Sequence, residues 1–566
     1  MSVLTSPISA RSRPLPPWPA DRPLRAWQRA ALRVLHGHEG ESFLTSATPA
    51  AGKTTFGVHV AHGMLAAGTV QRVVVVAPTT HICRQWAADA ARYGIDLEPN
   101  RPNGEGPEPR DRHGIVVTYQ TVAAGPAVHR RRAAAVPTLL VADEPHHMGE
   151  LAAWGTTARD AFGPARLKLL LSGTPFRSDT TANPWVANDD DGDSRADYTY
   201  SYTQALHDRV CRPVTFCTYD GDMEWMSDGR RRHADFSVVL PAAEAARRLR
   251  TALDPEGDWI SQVLRDADRR LGDLRAGEHR DAGGLVIAAD KEHAERLAAR
   301  LERLTGARPP VVTSDDPNAS RRIATFAASR EPWLVSVLMV SEGVDIPRLR
   351  VGVYATPART ELFFRQVVGR FIRRTPGGGE QMSWVFLPSD PRLKQLAAAV
   401  EEERRHALDV QDAGVLGEEP PEPAERSEHE DTGFHALSST GRLDDLLLTS
   451  QPGDQLGLFG GPPAPTPGTA AAAGGATAAA SGVAIDAAIT AAAPSRPAQE
   501  TSYEQRERLR EERQTLVSTL SRRTGEPHRA IHARINGASG AASVAAATIA
   551  QLEKGNARLE KELAKT

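Results

Sequence analysis

The sequence predicts an α/β protein with two doubly wound parallel sheets in tandem, then a disordered linker and a small helical C-terminal segment. Three observations carry that expectation. Short continuous Val/Leu/Ile runs alternate with helix-like stretches, the pattern of parallel strands covered on both faces. The alternation breaks off once, over 179–240, and then resumes. Beyond residue 410 the sequence becomes acidic and then Ala/Gly/Pro-rich.

Residues 1–20 are Pro-rich and are expected to form a disordered tail. A helix follows, with Leu24, Trp27, Ala31, Leu32 and Leu35 at helical spacing. Strands are expected at Ser42–Ala47, Val73–Ala77, Ile115–Thr118, Thr138–Ala142 and Lys168–Ser172, giving a first domain over 21–178. The stretch 179–240 reads as a connector. It opens on the acidic Asn188–Asp193 and runs through Tyr198-Thr-Tyr-Ser-Tyr202 to Arg212-Pro-Val214. Those tyrosines are either a surface for stacking bases or an alternating edge strand. Strands resume at Gly284–Ala289, Pro310–Thr313, Trp333–Met339, Val351–Ala355 and Ser383–Leu387, giving a second domain over 241–400.

Residues 411–500 hold 13 acids against 3 Lys/Arg, and 33 of the 40 residues in 461–500 are Ala, Gly, Pro, Ser or Thr. Burial there cannot offset the entropy of ordering, so a linker is expected. Its apolar island, Gln455-Leu-Gly-Leu-Phe459, is either a docking peptide or an incidental patch. Residues 501–566 return to a helical pattern with 12 Lys/Arg against 8 acids. This tail is either a nucleic-acid- or protein-binding unit or a salt-bridged helix pair.

Composition narrows the function. In 566 residues the formal net charge is -3, which excludes a globally basic coat protein but not a local nucleic-acid site. Cys83, Cys211 and Cys217 offer no disulfide framework and no CxxC pair. No apolar run approaches the roughly 20 residues that span a bilayer, and prolines interrupt the N-terminus where a signal peptide needs an apolar core. A soluble cytoplasmic protein with no membrane partner is expected. Arginines outnumber lysines 61 to 7, so a lysine that persists stands out, Lys53 above all.

Four motifs carry chemistry. Ala47-Thr-Pro-Ala-Ala-Gly-Lys-Thr54 follows a strand and opens a helix, with Ala47 where a Walker A loop has its first glycine. Pro49, Ala50, Ala51, Gly52 and Thr55 would shape the phosphate cradle, Lys53 would meet the β/γ-phosphates and the Thr54 hydroxyl would meet Mg²⁺. Thr138-Leu-Leu-Val-Ala-Asp-Glu-Pro-His-His147 delivers two acids at a strand end. Asp143 suits Mg²⁺ and Glu144 suits activation of an attacking water. Ser172-Gly-Thr-Pro-Phe-Arg177 ends a third strand. In Gln366-Val-Val-Gly-Arg-Phe-Ile-Arg373 the residues Gln366, Gly369, Arg370 and Arg373 share one helix face. Two arginines there suit a transferring phosphoryl group, and the glycine implies close approach of another surface.

This ordered set resembles a superfamily 2 helicase or translocase with two RecA-like domains, over about 21–400. The resemblance implies ATP and Mg²⁺, with Arg370 and Arg373 as arginine fingers and Gln366 beside them. It implies that Gln28, in Leu24-Arg-Ala-Trp-Gln28, reads adenine. Pro78, Thr79 and Thr80, with Arg84, resemble the first strand-contacting motif, and Thr118 and Gln120 of Val117–Thr121 the next. Gly343 and Asp345, in Ser341-Glu-Gly-Val-Asp-Ile-Pro347, are implied on the nucleotide side. The tetrad Asp-Glu-Pro-His and the Ser-Gly-Thr-Pro motif look like the DNA-directed DExH members, such as repair helicases and restriction-enzyme motor subunits. DNA is therefore the favoured partner, with a further protein partner open through the linker or tail. An RNA helicase is one alternative reading. A non-catalytic nucleic-acid-binding or scaffold module with a decayed ATP site is another.

Overall fold

Two seven-stranded sheets, each flanked by helices, form the body of the computed structural model, which describes residues 15–104, 111–145, 154–173, 185, 195–277, 279–313, 316, 318–337, 346–375, 381–409, 434–447 and 500–565. α1 (Ala26–Gly37) leads into β1 (Ser42–Ala47), α2 (Lys53–Ala66), β2 (Arg72–Ala77), α3 (Thr80–Ala91) and the short β3 (Leu97–Pro99). β4 (Gly114–Thr118), α4 (Tyr119–Ala123), α5 (Pro126–Ala135), β5 (Thr138–Asp143), α6 (Trp154–Phe162) and β6 (Leu167–Ser172) follow. With β7 (Tyr198–Tyr200) these strands make a sheet of order β3-β4-β2-β5-β6-β1-β7. Every pairing in it is parallel. β2 and β5 are apolar on both faces because helices cover both sides.

The second sheet starts inside the expected connector. After α7 (Tyr202–His207) come β8 (Val214–Asp220), the hairpin β9 (Met223–Ser227) and β10 (Arg230–Ala234), α8 (Ala242–Ala252) and α9 (Asp258–Ala276). The alternation then runs β11 (Gly283–Ala288), α10 (Lys291–Thr305), β12 (Val311–Val312), α11 (Ala319–Ala328), β13 (Trp333–Val337), β14 (Leu349–Ala355), α12 (Glu361–Phe371), β15 (Ser383–Pro388) and α13 (Pro391–Asp409). β16 (His435–Ser439) and β17 (Arg442–Leu447) complete the β structure. The sheet order is β12-β13-β11-β14-β15-β8-β17, parallel except at the antiparallel edge β17. β10, β9 and β16 form a small antiparallel sheet. At the C-terminus α14 (Ser502–Thr524), α15 (His528–Ser539) and α16 (Ile549–Leu563) pack around Val517, Leu520, Ile531, Ile535 and Leu559.

Several expectations need correction. The 179–240 stretch is not only a connector, because β7 belongs to the first sheet and β8 to the second. β8 is buried along its whole length, with Thr215 and Thr218 inside, so its mixed polarity hides a central strand. The Tyr198–Tyr202 segment is an edge strand and helix start: Tyr198 and Tyr200 stack on Trp27 at 6.3 and 5.2 Å. Within 411–500, residues 435–447 form β16 and β17 by pairing with β9 and β8. Those strands take their hydrogen bonds from edges far away in sequence, which local composition cannot signal. At the end of the expected N-terminal tail, Trp18 stacks on Tyr93 at 4.1 Å. Residues 1–14, the island 455–459 and most of the expected linker lie outside the described residues.

All three cysteines are free and buried. Among the described residues, no helix is long and apolar enough to cross a membrane.

Candidate active site at the seam of two sheets

The turn between β1 and α2 is built for backbone approach. Ala50 and Gly52 adopt left-handed φ of 66° and 92°, and Gly52 caps α2 so that the first N–H groups of the helix face the cleft. α1 clamps this turn from outside. Arg25 donates to the carbonyls of Ala50 and Ala51 at 3.1 and 2.8 Å, and Trp27 Nε1 donates to Ala51 at 3.0 Å. Gln28, expected to read adenine, is 2 % exposed. Its amide donates to the Gly52 carbonyl at 2.9 Å and accepts from the Arg25 N–H at 2.8 Å. In this arrangement it braces the loop.

The two acids stand at the end of β5. Trp86 Nε1 donates to Asp143 Oδ2 at 2.7 Å, and the Tyr119 hydroxyl donates to the Asp143 carbonyl at 2.7 Å. Glu144 has a left-handed φ of 52°. Its Oε2 accepts from the Gly173 N–H at 2.8 Å, and its Oε1 lies 3.1 Å from Lys53 Nζ. A Cβ at Gly173 would sit 2.8 Å from Lys53 Nζ and 3.0 Å from Glu144 Oε1, so the third motif needs a glycine where lysine and acid meet. Its later residues, 174–177, lie outside the described residues. Burial, and next the charge of Asp143, push the Cys83 thiol up to about 12, so it is not a nucleophile at neutral pH.

The chemistry of the donor set fits Mg²⁺. Thr54 and Asp143 both line the cleft, and hydroxyl and carboxylate oxygens are the ligands this hard cation takes. Among the described residues no cluster of three or more His, Cys, Asp or Glu could hold a metal unaided. A cation there would draw its other ligands from phosphates and water.

Across the cleft stands α12, which ends at Phe371, so Arg373 follows two residues beyond it, in a bridge to Cys211, rather than on the expected helix face. Gln366, Gly369, Arg370 and Arg373 line the same cavity of about 360 Å³ as Pro49, Ala50, Gly52, Lys53, Thr54, Thr55, Asp143 and Glu144. A Cβ on Gly369 would lie 2.6 Å from Pro49 Cβ, which is the close approach that glycine implied. Two neighbours hold the helix end in place. Cys211 bridges Arg373 through the backbone, and its thiol donates to the Pro49 carbonyl at 3.6 Å. Arg212, fully buried, donates to the carbonyls of Phe371 at 2.7 Å, Pro347 at 3.0 Å and Leu349. Burial pulls the Arg373 guanidinium down to about 10, still charged at neutral pH.

The expected strand-contacting residues sit at the C-terminal ends of neighbouring strands β2 and β4. Thr80, Arg84 and Gln120 are exposed there. The hydroxyls of Thr79 and Thr118 cap α3 and α4 instead, accepting from Ile82 and Thr121, and Pro78 lines the cleft. Gly343 and Asp345 lie outside the described residues. Arg25, Trp86 and Arg212 are site residues that the sequence did not single out.

Residues 22–177 match the family described as type III restriction enzyme, res subunit. The uncharacterized protein Rv2917 of Mycobacterium tuberculosis is 41 % identical over 571 residues, covering 97 % of this chain and 92 % of the relative. The uncharacterized protein ML1624 of Mycobacterium leprae is 39 % identical over 557 residues, covering 94 % and 92 %. A solved fragment assigned to the HsdR subunit of a type I restriction enzyme from Vibrio vulnificus superposes with a TM-score of 0.46 at 17 % identity, covering 70 % of this chain and 68 % of that one. The chain thus belongs to one family with these mycobacterial proteins over nearly its whole length, and its first domain is superfamily 2 helicase-like, of the restriction-enzyme-motor type.

Proposed function

We propose that this chain is an ATP-driven translocase on nucleic acid, with DNA preferred over RNA. The observation that carries the reading is the shared cleft, in which Lys53 and Glu144 of one lobe face Arg370 and Arg373 of the other. Lys53 and the N–H groups at the start of α2 bind the phosphates of ATP. Binding draws Lys53 away from Glu144, whose carboxylate then accepts the proton of the attacking water. Thr54 and Asp143 would hold Mg²⁺, whose charge would offset that of the phosphates. Arg370 and Arg373 stabilise charge that develops in the transition state, an effect on the order of 10³–10⁵ in rate for arginine fingers. Because those arginines come from α12 and the segment just beyond its end, turnover is coupled to movement of one lobe against the other. Thr80, Arg84 and Gln120 then grip the sugar-phosphate backbone, which carries no base specificity. The match to a restriction-enzyme subunit family favours DNA.

ATPase stimulation by single-stranded, duplex and forked DNA and by RNA, alongside strand displacement, tests this. DNA should stimulate most, and Glu144→Gln should lower turnover by about 10²–10⁴. Equal low rates in wild type and variant would make the chain a non-catalytic module, and preferential stimulation by RNA would reassign its track.

A further inference from the structure

A second cavity, of about 470 Å³, opens where the C-terminal helices meet the edge of the first sheet. Its lining carries three arginines, Arg101 from the loop after β3 and Arg510 and Arg513 from α14, beside the imidazoles of His528 and His532 from α15 and the carboxylate Glu98. Glu98 is already bound by Arg510 at 2.9 Å and by Arg112. Arg513 is the unusual member. It is 2 % exposed, its Nε has no hydrogen-bond partner, and no carboxylate pairs with it among the described residues. It donates to Asn536 Oδ1 at 2.8 Å, and Gly555 of α16 leaves room for its guanidinium. A buried cation without a counterion is costly unless an anion arrives.

The position says which anion. The loop that lines the cavity also supports both turns that carry the strand-contacting candidates. Asn100, itself in the lining, donates to the Thr80 carbonyl at 3.2 Å, and Asn103 donates to the Thr121 carbonyl at 2.6 Å. We propose that this cavity takes backbone phosphates of the nucleic-acid strand that passes Thr80 and Gln120, so that the C-terminal helices extend the track of the motor. The inference rests on the proposed function, and it adds a site outside the two lobes. It also selects between the two expectations for residues 501–566 in favour of nucleic-acid binding.

The test uses the full chain with Gln514→Glu and His528→Glu combined. Both residues are exposed at the rim of the cavity, neither lies in the hydrolytic cleft, and an acid in the first turn of α15 suits that helix. Anisotropy of a fluorescein-labelled oligo(dT) is measured across a salt series, with basal ATPase measured without DNA. The variant should bind about tenfold more weakly, and its log K against log salt slope should shrink by about 0.7 for each phosphate lost. Basal ATPase should be unchanged. Unchanged affinity and slope beside a wild type that binds DNA would overturn the inference and leave the translocase reading intact. A wild type that neither binds nor responds to nucleic acid would overturn both. Inorganic phosphate that binds the wild type but not the variant, with oligo(dT) binding equal in the two, would make this a free-anion site and overturn the strand assignment.

Discussion

Gly369→Ala is the sharpest probe of the seam. In the interior of α12, alanine should stabilise the helix itself by roughly 0.5–1 kcal/mol relative to glycine. The new methyl would nevertheless lie 2.6 Å from Pro49 Cβ and 2.7 Å from its Cγ. Carbon atoms rest at about 3.5–4.0 Å, so α12 must retreat from the phosphate loop by about 1 Å. Pro49 cannot rotate away, and its carbonyl is already held by Cys211. Arg370 and Arg373 retreat with the helix. A misplacement of about 1 Å can cost on the order of 10² in rate. DNA-stimulated kcat should therefore fall about a hundredfold, while a thermal melt shows a Tm no lower than that of wild type. Wild-type kcat in Gly369→Ala would show that the arginine helix does not work from this position, and the proposed coupling would fail with it.

Four further outcomes are expected. Trp86→Phe removes the indole that holds Asp143 at 2.7 Å, and the Mg²⁺ concentration for half-maximal ATPase should rise about tenfold or more, as for partners that orient metal ligands elsewhere; an unchanged Mg²⁺ titration would dismiss Asp143 as a ligand. Burial holds His129 down at about 4 against an ordinary 6.5, so the unfolded chain binds the extra proton between those values. Stability is complete above pH 6.5 and is lost as pH falls towards 4, and urea melts of His129→Gln should show a shallower loss over that window. Arg506→Ala leaves Asp96 and Asp111 short of a partner beneath the C-terminal helices, which should cost about 3–5 kcal/mol in a denaturant melt. Deleting 411–566 removes the edge strands β16 and β17 and strips the cover from Asp96 and Glu98, so basal ATPase should survive only with a lowered Tm, and unchanged thermal stability would refute that bracing role.

What the sequence reveals depends on how local the cause is. β2 and β5 are legible because their continuous apolar runs answer to helices on both faces. Lys53, Glu144 and Arg370 are legible because each chemistry fixes a residue type beside a strand end or on a helix face. Arg25 and Arg212 are not, because they act by donating to carbonyls of distant segments, Ala51 and Phe371. Such a bond leaves no periodicity and looks like any of 61 arginines. β16 and β17 escape for a related reason. Their partners, β9 and β8, lie about two hundred residues earlier, as the Ser438–Glu224 hydrogen bond across 214 positions shows. Acidic composition around them points to linker, and only pairing makes them strands.

The bond from Arg506 to Asp96 joins residues 410 positions apart. At roughly 5–20 residues per second of synthesis, the lobe that emerges first waits about 20–80 s for the helices that cover its edge. Throughout that interval Asp96 and Glu98 have Arg112 but not their late-arriving partners Arg506 and Arg510. The lobe begun earliest is therefore finished last, and a ribosome that stalls beyond the second lobe releases a chain whose opening sheet was never sealed.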